Sequence, residues 1–270
     1  MRRVVASRLT FAVLCAVAVL ASACGEQPTP PPPEIPYDAS PDAVIVEIRI
    51  ESPGQPPEYR RNALPTCTLY GNGRVVWANP LATGGEQLLE GVAGPEKVQA
   101  YFRFITEVGF FRWQNEVSAN LLPPEGVESF TVVTVNLAEQ THKVSAYDGG
   151  GLPGFDDILT RCLQLVDSPT LVEPDAAWLS AIRIESDANR PIVCWPEDAP
   201  VRLADVESDG PVWIEGLYAV YAWANIHETE GLPVFVEGGI CGDGTEPGQV
   251  YNVIVEAPGI SPFAPPRPEA

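Results

Sequence analysis

The sequence predicts an α+β fold, in which antiparallel β-sheet modules with packed helices follow a cleaved signal and a proline-rich tether. Three observations lead to this fold class. Apolar and polar residues alternate over 44–51, as in a half-buried strand. Asn72-Gly73 stands between two β-prone runs, which is a strong short-range pattern for a hairpin. Apolar residues recur every three or four positions over 98–108, as on one face of a helix.

The first 23 residues are predicted to be a signal peptide. Arg2, Arg3 and Arg8 precede an apolar run of about 15 residues, which ends in small residues before Cys24. A transmembrane helix needs roughly 20 predominantly apolar residues, so the shorter run favours a cleaved signal over a permanent span. No later apolar segment is long enough to span a bilayer.

The segment Leu20-Ala21-Ser22-Ala23-Cys24 resembles the lipobox of bacterial lipoproteins. The resemblance implies that Cys24 becomes the mature N-terminus and carries a diacylglycerol, which anchors the protein on the extracytoplasmic face of the cell membrane. Ala21 departs from the family pattern, which usually has Leu, Val or Ile three residues before the cysteine. Ordinary signal cleavage is therefore the alternative. Residues 24–42 are predicted to form the lipidated cysteine and a tether whose proline run favours an extended spacer.

The chain has 36 acidic and 16 basic residues. The formal net charge is −20, and it becomes −23 once the three signal arginines are removed. Such a protein repels the phosphates of nucleic acids, so no nucleic-acid partner is expected. The simplest interpretation of this charge is solubility.

A first α+β module is predicted over 43–172. After the strand at 44–51 come the hairpin at 67–77 and a further strand at 86–91. Gly94-Pro95 then opens a helix that Gly109 ends, because proline suits the first helical position and glycine the stop. The aromatic residues that follow are expected in the core, although a ligand-binding surface is the alternative: Phe110, Phe111 and Trp113.

The module is predicted to end with a second hairpin, 130–137 with 141–147, and a helix over 154–166. Cys162 lies on the apolar face of that helix. The segments from Cys67 to Leu165 loosely resemble a class of bacterial envelope domains of unknown function. That resemblance implies an antiparallel sheet with packed helices on a surface lipoprotein, and it carries over no catalytic residue.

A smaller α+β module is predicted over 173–262, followed by a disordered tail over 263–270. Ile182-Arg183-Ile184-Glu185-Ser186 repeats the pentapeptide that begins at Ile48, which indicates either a degenerate duplication or a chance match between two strands. Asp209-Gly210-Pro211 is predicted to start a helix that includes Ile214, Leu217 and Tyr221. A hairpin is expected from 234–236 and 250–255.

Four cysteines remain beyond Cys24, and export predicts that they form two disulfides. Three connectivities are possible. We favour Cys67 with Cys162 and Cys194 with Cys241, because each pair then stays inside one predicted module. A zinc site is disfavoured, since the chain has no C-x-x-C spacing and only two histidines.

The sequence predicts no catalytic residues, no metal and no cofactor. His227-Glu228-Thr229-Glu230-Gly231 has glycine where a zinc-protease helix needs its second histidine. His227 and His142, which lies beside a hairpin turn, are each expected to be a structural or surface residue. The loop at 239–248 offers Asp243 and Glu246 as oxygen ligands but lacks the spacing of a calcium-binding loop.

These patterns predict a membrane-anchored extracytoplasmic lipoprotein that acts as a non-enzymatic binding or structural module. Its expected partners are the membrane, through the lipid on Cys24, and a protein or glycan of the cell envelope. The alternative is a hydrolase of envelope polymers that uses two carboxylates as acid and base, because the chain has 36 acidic residues that could supply such a pair.

Overall fold

The computed structural model describes residues 32–52, 54–117, 129–138, 140–147, 151–185, 189–241 and 248–269. The predicted signal peptide and Cys24 lie outside these ranges. Ile35–Ala270 form one compact unit. Its described part contains two β-sheets and five α-helices, which confirms the α+β class.

The first sheet has eight strands, and most neighbours in it are antiparallel. Along the chain they are β1 (Val44–Glu51), β2 (Cys67–Tyr70), β3 (Arg74–Pro80), β4 (Glu86–Val92), β5 (Glu116–Val117), β6 (Phe130–Leu137), β7 (Gln140–Ala146) and β8 (Thr170–Leu171). Their spatial order is β5-β7-β6-β1-β2-β3-β4-β8. Among the described strands of this sheet, β5 and β7 form the one parallel pair. Both predicted hairpins are confirmed, since β2 pairs with β3 and β6 pairs with β7 in antiparallel fashion.

The second sheet has five strands in the order β10-β12-β13-β9-β11. They are β9 (Ala176–Ile184), β10 (Ile192–Cys194), β11 (Val212–Glu215), β12 (Val234–Glu237) and β13 (Gln249–Glu256). The predicted pairing of β12 with β13 is confirmed and antiparallel. β10 pairs in parallel with β12.

The five helices are α1 (Pro57–Asn62), α2 (Pro95–Glu107), α3 (Phe155–Leu163), α4 (Leu203–Asp209) and α5 (Leu217–His227). The prediction of a helix that starts at 209–211 and includes Ile214 is wrong. Gly210 and Gly216 both have positive φ, 97° and 66°, and the residues between them pair with β9 as strand β11. Ile214 is buried and belongs to β11, and α5 starts only after Gly216.

The first sheet buries both of its faces because its side chains alternate between two cores. On one face, Leu69, Val75 and Trp77 pack with residues of α2 and α3. On the other face, Tyr70, Val76 and Leu88 pack with the second sheet and with α4 and α5. Helices and a second sheet therefore enclose the first sheet from opposite sides.

Part of the predicted tether lies against this folded unit. The Gln99 side chain donates to the Ile35 carbonyl and accepts from the Ile35 amide, and the Tyr37 ring lies 5.0 Å from that of Phe102. Gly71 is required beside this segment, because a Cβ there would lie 2.2 Å from the carbonyl oxygen of Asp38.

Candidate functional site

The candidate site is a cleft of about 260 Å³ where the end of β1, helix α1 and the C-terminal segment meet. We call it the Arg60 cleft. Its lining residues are Arg49, Ile50, Glu51, Ser52, Gln55, Arg60, Ala63, Leu64, Pro262 and Phe263. They come from parts of the chain that are about two hundred positions apart, so the cleft exists only in the folded unit.

The first wall is the end of β1. This strand pairs with β6 as far as Glu51, which lies opposite Phe130. Its pairing with β2 stops earlier, at Ile48 opposite Cys67. Residues 49–51 therefore have a strand neighbour on only one side within the described ranges.

A charged cluster on β1 stabilises this wall. The Arg49 guanidinium donates from Nε to Glu51 at 2.8 Å and from Nη1 to Glu47 at 3.1 Å. Lys143 adds a second cation, 3.5 Å from the same Glu51 carboxylate. Burial by itself would raise the pKa of Glu51, but the hydrogen bonds and charges of Arg49 and Lys143 outweigh it and lower that pKa. Glu51 is thus ionised at neutral pH.

The second wall is α1, which is held on β13 through buried polar groups. The Asn62 side chain donates to the carbonyl of Val253 and accepts from the amide of Val255, both at 2.9 Å. Arg61 pairs with Glu256 through two hydrogen bonds, the Nε bond measuring 3.1 Å. Six residues are too few to form a stable helix alone, so these tertiary bonds fix its position.

Arg60 differs from Arg61 in having no partner. It is exposed on α1, and its guanidinium makes no ion pair or hydrogen bond within the described part of the chain. Among the described lining residues, Arg60 is therefore a cation without a partner, and it lies on the α1 wall.

Part of the cleft lining is apolar and exposed. Ile50 is 59% exposed and Phe263 is 54% exposed, whereas Leu64, another lining residue, is buried. The C-terminal segment that carries Phe263 lies against the second sheet, because Trp178 Nε1 donates to the carbonyl of Pro266 at 3.1 Å. An unpaired cation beside exposed apolar groups is suited to binding an amphipathic ligand.

The predicted disulfides are confirmed in the predicted pairing, Cys67 with Cys162 and Cys194 with Cys241. The first joins β2 to α3, and both of its cysteines are completely buried. The second joins β10 to the turn that follows β12, and Cys194 is exposed. Cys24, the predicted lipidation site, lies outside the described residues, as do Asp243 and Glu246 of the acidic loop.

The two histidines lie apart from the Arg60 cleft. His142 packs beside Phe110, and its Nε2 lies 3.0 Å from the carbonyl oxygen of Trp113. His227 is buried against Trp223, and burial lowers the pKa of its imidazole to about 3. Phe110, the first aromatic residue after α2, is fully buried in the core of the first sheet.

Two buried side-chain atoms have no hydrogen-bond partner among the described residues, Ser180 Oγ and His227 Nε2. Since each lacks a partner, they do not form a serine–histidine pair with one another.

Among the described residues, no group of three or more His, Cys, Asp or Glu side chains is placed to hold a metal ion. None of the described helices has the length and apolar character to cross a bilayer.

Comparison of the chain with protein-family models, with curated proteins and with solved structures finds no match.

Proposed function

We propose that this protein is a membrane-anchored extracytoplasmic lipoprotein that binds a partner of the cell envelope at the Arg60 cleft and leaves it chemically unchanged. The observation that carries the binding role is the Arg60 guanidinium, which has no partner among the described residues and lines the same cleft as the exposed side chains of Ile50 and Phe263. The β1 wall is held by its pairing with β6, and the α1 wall by the bonds of Asn62 and Arg61 to β13, so the ligand meets a preformed site and the cost of ordering it is reduced.

The anchor rests on the sequence. The signal-like first 23 residues end at Cys24, and the prolines that follow provide a spacer before Ile35, where the folded unit begins. The two disulfides support an oxidising compartment outside the cytoplasm. A diacylglycerol on Cys24 would keep the cleft near the membrane surface.

The hydrolase alternative requires two carboxyl groups that face each other across a cleft at about 5–10 Å, one of them with a raised pKa. Glu51 is the one carboxylate among the described lining residues of the Arg60 cleft, and its pKa is lowered. A carboxylate that stays ionised is a poor proton donor, so the geometry of this cleft favours binding over hydrolysis.

Site-specific photocrosslinking tests the binding role. A photoreactive amino acid is placed at Ile50 in the full-length protein in the producing cells. Leu171 provides the matched control, because it is 51% exposed and lies on β8, four strands away from β1. We expect a discrete adduct from position 50 and none from position 171. Identical products from both positions, or no product from either, would contradict the proposal.

The anchor is tested separately with Cys24→Ser. We expect the wild-type protein to sediment with membranes and to incorporate labelled fatty acid, and the variant to do neither. If the Cys24→Ser protein still carried lipid and still sedimented with membranes, the proposal that a lipid on Cys24 anchors the protein would be wrong.

A further inference from the structure

We infer that the ligand of the Arg60 cleft is an extended peptide segment, which adds as a strand beside residues 49–51 and places a carboxylate against Arg60. The inference rests on the proposed binding function and names the class of its partner. Three independent features of the cleft support a peptide with this chemistry.

The first feature is the short open edge of β1. β1 continues for three residues beyond its last pairing with β2, while β6 covers only its other side. Unpaired strand edges are templates for the addition of another strand. In known peptide-binding domains, main-chain hydrogen bonds to such an edge supply affinity, and alternate side chains enter pockets that supply specificity. The Arg60 cleft lies directly beside this edge.

The second feature is charge. Arg49 already donates to Glu47 and Glu51, so its guanidinium is engaged, whereas Arg60 has no partner in the described ranges. A guanidinium forms its strongest hydrogen bonds with carboxylates. The whole protein, however, has a net charge of −20 and repels anions at long range. The peptide that fits both conditions carries one carboxylate within a neutral or basic sequence.

The third feature is the size of the cleft and the exposed apolar side chains that line it. A volume of about 260 Å³ is below the roughly 300–1,000 Å³ that is typical of sites for whole small molecules. It suits one large side chain and the adjoining main chain. Ile50 and Phe263 can contact such a side chain, because each exposes more than half of its surface.

The test uses two synthetic dodecapeptides of alternating Thr and Val with lysines at both ends. One contains Phe and Glu two positions apart, so that both side chains share a face of the strand, and the other contains Gln in place of Glu. Each is titrated by fluorescence anisotropy against the mature chain with Cys24→Ser. We expect the Glu peptide to bind at least tenfold more tightly. Equal affinities would overturn the recognition of a carboxylate.

Arg60→Ala should remove the difference between the two peptides by weakening the binding of the Glu peptide to the level of the Gln peptide. The matched control is Arg112→Ala, since Arg112 is also exposed and lies outside the cleft. It should preserve the tenfold preference. Thermal melting of both variants checks that they fold. An Arg60→Ala protein that still prefers the Glu peptide would contradict the role of Arg60.

Backbone N-methylation tests strand addition. One Glu peptide is methylated at alternate amides on one edge of the strand, and a second at those on the other edge. We expect only one of them to lose at least tenfold in affinity, because an added strand donates from one edge. Equal binding of both methylated peptides would overturn strand addition.

The peptide inference and the proposed function can fail separately. If neither dodecapeptide binds at millimolar concentration while position 50 still gives its photocrosslinked adduct in cells, the peptide inference is wrong and the binding function stands. If the adduct is absent as well, both are wrong.

Discussion

At the residue scale, His227 is expected to make the protein sensitive to mild acid. It lies at the end of α5, with its ring 4.2 Å from that of Trp223, and burial lowers its pKa from 6.5 to about 3. The unfolded chain therefore binds a proton below pH 6.5 while the folded chain stays neutral, so stability is lost as pH falls from 6.5 towards 3. At about 1.4 kcal/mol per pH unit, the loss between pH 7 and pH 5 is about 2 kcal/mol.

Urea denaturation at several pH values measures this effect. His227→Phe should flatten the decrease between pH 6.5 and 5, because it removes the titrating group. His142→Gln is the control, because it retains His227 and should keep the acid sensitivity of the wild-type protein. The assignment would be refuted if the His227→Phe variant lost stability with falling pH as steeply as the wild type.

A second residue-scale prediction concerns the ion pair between Arg61 and Glu256. The Glu256 side chain is 1% exposed and that of Arg61 is 35% exposed. Arg61→Ala would leave a buried carboxylate without its partner, at a cost of about 2–3 kcal/mol. This is below the range for fully buried pairs because water still reaches Arg61. Arg60→Ala, its exposed neighbour on α1, should change stability by less than about 0.5 kcal/mol. Chemical denaturation that gave equal losses for both variants would contradict the assignment.

At the element scale, local sequence patterns account for most strands of the first sheet and for α2 and α3. α2 and α3 each bury one face, so their apolar residues repeat with the period of a helix, and β1 shows the alternation of a strand although its sheet is covered on both sides. The predicted start of α5, at 209–211, is wrong for a physical reason. It buries Ala219, Ala222, Trp223, Ile226 and His227, which leaves no clear polar face, and the break at Gly216 is hidden in an almost continuous apolar run. α1 has no apolar periodicity from which it could be predicted. Tertiary bonds to β13 hold it in place instead.

The two disulfides are expected to differ in reactivity because they differ in access. Cys67 and Cys162 are fully buried, whereas Cys194 is exposed on β10. A thiol reductant should therefore reduce the bond between Cys194 and Cys241 first under native conditions. Maleimide labelling followed by peptide mass mapping would show the order. Simultaneous reduction of both bonds, or earlier labelling of Cys67, would contradict this prediction.

At the scale of the whole molecule, the Arg60 cleft could not be found from the sequence. Its walls come from β1, α1 and the C-terminal segment, and no local pattern brings Ile50 and Phe263 together. Arg60 is also indistinguishable from Arg61 in the sequence, because both belong to one Arg-Arg pair. Only the fold gives Arg61 the buried Glu256 as a partner and leaves Arg60 without one in the part of the chain that the structure describes.

The two sheets are predicted to depend on each other for folding. The core of the second sheet includes Tyr70, Val76 and Leu88 from the first sheet, and α1, which precedes β2, bonds to β13 through Asn62. A fragment comprising 173–262 would expose the apolar surface that these residues cover, at about 25 cal/mol per Å². It would also leave the backbone groups of Val253 and Val255 without their partner, which adds a further penalty.

Expressed alone, the fragment 173–262 should therefore bind a hydrophobic dye, be digested rapidly by protease and show no cooperative unfolding. Co-expression with 35–172 should restore a protease-resistant complex that unfolds cooperatively. The control is the intact chain 35–270 under the same conditions, because it retains every contact of the compact unit. If the isolated fragment unfolded cooperatively at the same temperature as the intact chain, the first sheet and α1 would contribute nothing to the stability of the second sheet, and the two would be independent domains.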